Sequence, residues 1–133
     1  MHPRTREHLM RAMHDAAFTF ARYRLCAVQA RHRGRQELGD LFDETATEAY
    51  FDHFAKEAVL AGLIGTEAVN LHDLIREEQR DSDEVYRAFA EEADAVGDAE
   101  AANCFRKVGE QERARRERLL VAMRNLDPAD PAE

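Results

Sequence analysis

The stretch Phe42-Asp-Glu-Thr-Ala-Thr-Glu-Ala-Tyr-Phe-Asp52, FDETATEAYFD, is followed at once by His53. Apolar and small residues recur through it at helical spacing, with Phe42, Thr45, Ala49 and Asp52 on one stripe. A carboxylate and an imidazole on a helix can grip one metal only when they are three or four residues apart, where side chains share a face. Glu48 and His53 are five apart, about 140° around a regular helix. The spacing therefore puts them on different faces, and only a local π-bulge would bring them together.

The same periodicity extends in both directions. A first helix is predicted from about Arg6 to Arg31, with Leu9, Ala12, Met13, Ala16, Phe20, Tyr23 and Ala27 inward, and Gly34 ends it. The second runs from about Gln36 to Ala61 and carries Leu38, Leu41 and Phe42 with the stripe above. The third starts near Thr66, a good N-cap, and passes through Leu71, Leu74, Ile75, Glu78, Val85 and Phe89 to Val96. After Gly97-Asp98 the fourth spans about Ala99 to Asn125, with Ala102, Phe105, Val108, Glu112, Leu119 and Met123 inward. Four helices of about 25 residues, each about 38 Å long, predict an all-α four-helix bundle built from two hairpins. Residues 1–125 are expected to form one domain and 126–133 a disordered tail.

Composition narrows the function. Of the 133 residues, 44% are hydrophobic and 35% charged, and the six Gly and three Pro suit a helical protein. A net charge of −8 speaks against nucleic acid as a partner. The basic runs Arg31–Arg35 and Arg113–Arg118 lie among acids and read as solvated helix surface. Cys26 and Cys104 form no C-x-x-C pair, so neither a thiolate metal knuckle nor a disulfide framework is expected. The apolar run Ala58–Ile64 is too short to cross a bilayer, and the opening MHPRTREHLM has no apolar leader core. The expected location is the cytoplasm, with no membrane partner.

On these stripes the chain resembles the rubrerythrins, ferritin-like di-iron proteins, from His8 to Leu120. The resemblance rests on Arg22-Tyr23 in the first helix, FDETA at the opening of the second, and Ala61-Gly-Leu-Ile with Asn70-Leu71 before the third. It continues in Asp83-Glu84-Val85-Tyr86 and in Gly97, Ala102 and Phe105. It implies two irons held by a Glu on the first helix, E-x-x-H on the second, E-x-x-E on the third and E-x-x-H on the fourth. At those positions this chain has Ala16, then Ala49 and Asp52, then Glu78 and Asp81, then Glu112 and Arg115. The paired C-x-x-C sequences of a rubredoxin module do not occur.

Asp52, Glu78, Asp81 and Glu112 are thus the candidate metal ligands, all oxygen donors, whereas redox iron of this class takes imidazole as well. Arg115 is placed to hold Glu112 and Glu78 in an internal salt-bridge cluster, and its truncation is expected to cost roughly 3 kcal/mol. Four ionised acids against one Arg would leave −3. A proton, Arg22, or one hard divalent cation would have to make up the difference. Tyr23, Tyr50 and Tyr86 read as core, Cys26 and Cys104 as buried, inert thiols, and His14 as exposed. No cofactor is expected beyond a weakly bound divalent metal. The expected function is a non-redox binding or assembly module, with no catalytic residue assigned. The alternative is an oxidoreductase, reducing peroxide or oxidising iron at the altered centre, or an acid–base site at Glu78, Glu112 and Arg115.

The link between the second and third helices, Gly62 to Thr66, has five residues and can span at most about 18 Å. In rubrerythrins those two helices run parallel, which requires a return of about 38 Å. The resemblance therefore implies a homodimer that exchanges hairpins, with Asp52 of one chain meeting Glu78, Asp81, Glu112 and Arg115 of the other. A five-residue turn also permits a simple up-down-up-down monomer, with the third and fourth helices reversed relative to the family.

Overall fold

The computed structural model describes residues 1–126, and these form helices with no strand among them. The tail expected to be disordered lies, from residue 127 onward, outside the described residues. The chain divides at Ile64/Gly65 into two compact units. Each is a helical hairpin.

The first hairpin begins with α1, Pro3–His32. Pro3 stands at the first helical position, where its missing N–H costs nothing, and the His2 ring accepts from the Arg4 N–H. Gly34, at φ +75°, makes the turn. The return helix is α2, Gln36–Glu48, a π segment at Ala49–Phe54, and α3, Ala55–Ala61. Gly62 ends it in the left-handed conformation, φ +67°. Small residues make the seam: Ala27, Ala30, Ala46, Ala49, Ala58 and Ala61 are buried, and Met13 packs on Ala58 and Ala61 beside Leu9 and Phe54. Near the turn, Arg31 lies across α2 and bonds Asp40 at 2.8 Å and Asp43 at 2.6 Å, while Arg24 reaches Asp43 at 3.0 Å. Gly39 leaves room for this, since a Cβ there would stand 2.7 Å from Arg31 Cγ. The Arg31 guanidinium, hydrogen-bonded to Asp43, holds that carboxyl below its usual range against the opposing effect of burial.

The second hairpin starts with Thr66, whose hydroxyl accepts from the Val69 N–H at 3.3 Å. Its first arm is α4, Glu67–Arg80, a π segment at Asp81–Val85, and α5, Tyr86–Ala95. Gly97, φ +85°, turns the chain into α6, Ala99–Arg124, which packs back along all three. Ala90, Ala93, Ala102 and Gly109 form the seam, and Tyr86, Phe89 and Phe105 make an aromatic cluster with centroids 5.5 to 6.3 Å apart.

Two expectations are corrected here. The second and third helices are each interrupted by a π segment, where the sequence stripe reads as unbroken α-helix. Several residues read as inward are exposed, among them Leu41 (56%), Leu74 (45%) and Phe89 (45%). Close helix approach is made by alanines, so apart from Met13 the large side chains stand at the margins of the seams, and no large side chain among the described residues is fully buried.

Candidate functional site: a salt-bridged carboxylate cluster and an acidic cavity

The second hairpin brings three of the candidate residues together. Arg115 on α6 donates from Nε and Nη2 to the two oxygens of Glu78 on α4, at 3.1 and 3.3 Å. Its Nη2 also lies 3.4 Å from Glu112 Oε1, one turn back on α6. This bidentate fork fixes the orientation of Glu78 as a point charge could not. The Glu112 side chain is 9% exposed and that of Arg115 48%, so the carboxylate is internal and the guanidinium half in solvent. The second Glu112 oxygen is buried without a partner. Burial first, then the charges of Glu78 and Asp81, push the Glu112 carboxyl above its ordinary range, and Arg115 only partly opposes them. Tyr86 is raised in the same way, by burial and then by Glu112 and Asp81.

Asp81 of the same hairpin is not bonded to this fork, although its charge acts on Glu112. Asp81 sits at the start of the second π segment, and its closest cation is Arg80 at 3.5 Å. Asp52, in the first hairpin, is 61% exposed and pairs with Lys56 at 3.8 Å. Asp52 lies within the first π segment, Ala49–Phe54. Arg22 on α1 is exposed and has no ion pair among the described residues. Tyr23 packs at a tilt against Phe42, 6.0 Å between centroids, and Tyr50 packs against Phe20, Phe51 and Phe54. Cys26 is partly buried and Cys104 exposed, which corrects the reading of Cys104 as a buried thiol.

The first π segment changes the reading of FDETATEAYFD. A π turn closes its hydrogen bond over five residues, as between Tyr50 O and the Ala55 N–H, so residues five apart return to one side. Glu48 and His53, placed on different faces by regular helical spacing, line one cavity of about 450 Å³. Asp15, Ala16 and Tyr23 of α1 form its opposite wall, with Ala49 and Glu57 from the return helix. Glu48 and His53 were legible as a pair only if the helix was allowed to bulge. Glu57 and Asp15 carried no signal in the sequence.

The donor set does not fit a di-iron centre. Ala16 and Ala49 carry no donor, the retained Glu78 and Glu112 are oxygen-only, and Arg115 projects a cation onto both. Among the described residues no three His, Cys, Asp or Glu side chains converge closely enough to hold a metal ion. Nor is any helix there long and apolar enough to cross a membrane.

Two comparisons bear on this arrangement. The family profile described as Rubrerythrin matches residues 32–123, more than half of the chain. The chain is also 28% identical over 136 aligned positions to a protein named Rubrerythrin from Porphyromonas gingivalis, an alignment covering 93% of this chain and 68% of that one.

Proposed function

The chain belongs to the rubrerythrin family, and from that premise we propose that it works as a non-redox binding or assembly module whose helices, rather than a metal, are the useful part. The observation that carries this reading is the Arg115 fork on Glu78 and Glu112, at 3.1 to 3.4 Å, where the family's resemblance calls for an imidazole. A guanidinium there supplies permanently the positive charge that a metal would otherwise bring. The proposed assembly is a homodimer in which each hairpin finds its counterpart on another chain, making one folded domain from two copies. The exposed apolar residues of α1, Phe18 (69%), Leu25 (72%) and Val28 (64%), support it, as do Val59 (76%), Leu60 (67%) and Ile64 (68%) of the return arm.

Metal analysis of protein purified without chelator tests the first half of this proposal. The expected result is substoichiometric iron that dialysis removes. Two irons per chain with an oxo-bridge absorption band would replace it with the oxidoreductase reading.

A further inference from the structure

The open faces of the two hairpins carry opposite surpluses of charge. In the first, Asp15, Glu48 and Glu57 stand around the methyl groups of Ala16 and Ala49, and among the described residues no Lys or Arg lines this groove. Asp15 and Glu48 are exposed and form no ion pair there, whereas Asp40 and Asp43 near the turn are taken up by Arg31 and Arg24. The second hairpin shows the converse. Between α4 and α6, Leu74, Leu119, Glu78, Arg115 and Arg118 border a cavity of about 310 Å³. Glu78 balances Arg115 at 3.1 Å. Arg118 is exposed and has no ion pair among the described residues, so it is the spare cation of this face.

We propose that the acidic groove is the seat of a second copy's α4–α6 face, with the Arg118 guanidinium of one chain on Glu48 of the other and Leu74 and Leu119 on the alanine floor. This rests on the assembly reading and names the contact that holds it. The levels agree. The groove extends from about 6 to about 20 Å before the end of its arm at Ala61, from Glu57 back to Glu48, at 1.5 Å per residue. Leu74 and Glu78 lie about 10 and 16 Å beyond the start of their arm at Glu67. Two chains related by a two-fold axis at the short link bring points equally far from it level with one another. The exchange is reciprocal, so the Arg118–Glu48 pair forms twice per dimer and opposes a slipped or foreign partner.

Charge reversal tests this by sedimentation of the full chain from nanomolar to micromolar concentration. Glu48→Arg and Arg118→Glu should each weaken the dimer about tenfold or more, since either one turns two attractions into two repulsions. An equal mixture of the two variants should regain the parent's affinity, because the mixed dimer has one pair of the original sign and one reversed. The double variant should regain it as well. Arg76→Glu, the same charge change beside Asp73 and Glu77 on α4, should leave the affinity unchanged. Both reversed positions are exposed, and circular dichroism verifies folding. Should Glu48→Arg unfold, Asp15→Arg on the facing wall takes its place with the same expected loss. A dimer whose affinity neither reversal changes refutes the pairing and leaves the assembly reading standing. A mixture no tighter than its components, beside a restored double variant, puts the pair within one chain and refutes the proposal too. A parent that stays monomeric throughout refutes the assembly reading and removes the partner with it.

Discussion

Glu112 is the residue at which local chemistry is most exposed to experiment. Its carboxyl is raised by burial and by Glu78 and Asp81, so the folded protein holds this proton more tightly than the unfolded chain does. Wherever the folded state binds more protons, stability falls as pH rises. The contribution from protonated Glu112 is complete below the ordinary carboxyl range and is lost as pH climbs through the raised folded value. Glu112→Gln should therefore stabilise the fold at neutral pH by about 1 kcal/mol and flatten this part of the stability curve, as urea melts from pH 4 to 8 would read. An unchanged curve would mean that the carboxylate is ionised and compensated throughout. Arg115→Ala is expected to cost roughly 1 kcal/mol rather than the 3 expected of a fully internal pair, because half of the guanidinium is already in water. A loss of 3 kcal/mol or more by chemical denaturation would show that the fork is buried in solution. The sequence register identified which residues meet at this fork, since Glu78, Glu112 and Arg115 share inward helical positions. It could not tell how deeply each lies, because depth depends on what the alanine seams leave uncovered.

At the scale of the element, helix limits were legible and helix type was not. Gln36, Ala61 and Ala99 bound their helices as expected, since turn glycines and changes of periodicity mark ends well. The π segments at Ala49–Phe54 and Asp81–Val85 left no such mark, because a stripe read at 3.6 residues per turn has no place for one extra residue. That extra residue brings Glu48 and His53 to the lining of one cavity. Deleting Phe51 should return the segment to regular α-helix. Glu48 and His53 would then be four apart and still share a face, and Ala58 and Ala61 would keep their seam on Met13. The expected variant is folded, with a melting temperature equal to or above the parent's, and a crystal structure would display the straightened helix. Collapse of the fold on this deletion would show that π1, as the bulge at Ala49–Phe54, is indispensable to the hairpin rather than an inserted turn.

For the whole molecule, the large apolar side chains decide the outcome. Leu25 (72%) and Phe18 (69%) stand two turns apart on α1, and large apolar side chains exposed along one helix face mark an interaction surface. Light scattering at micromolar concentration is expected to give twice the chain mass of 15.2 kDa, and the melting temperature should rise with protein concentration, as it does for any folded state held by association. A strict monomer whose melting is independent of concentration would sink the exchange of hairpins. The five-residue link was readable from sequence as too short for a return along a helix, while the extent of uncovered apolar surface was not, because periodicity tells inward from outward only relative to an assumed partner.

The alanine seams also bear on how the protein is made. Each hairpin closes on residues near in sequence, across a turn at Gly34 or Gly97, and contacts of that kind form fast. The first hairpin ends at Gly62 and the second lies wholly after it, so the first can leave the ribosome and pair while part of the second is still enclosed, presenting Phe18, Leu25 and Val28 to the surroundings. Neighbouring ribosomes on one message hold such hairpins close together. Synthesis from crowded polysomes should thus favour pairing between sibling chains, and slowing translation after Gly62 should raise the yield of insoluble product.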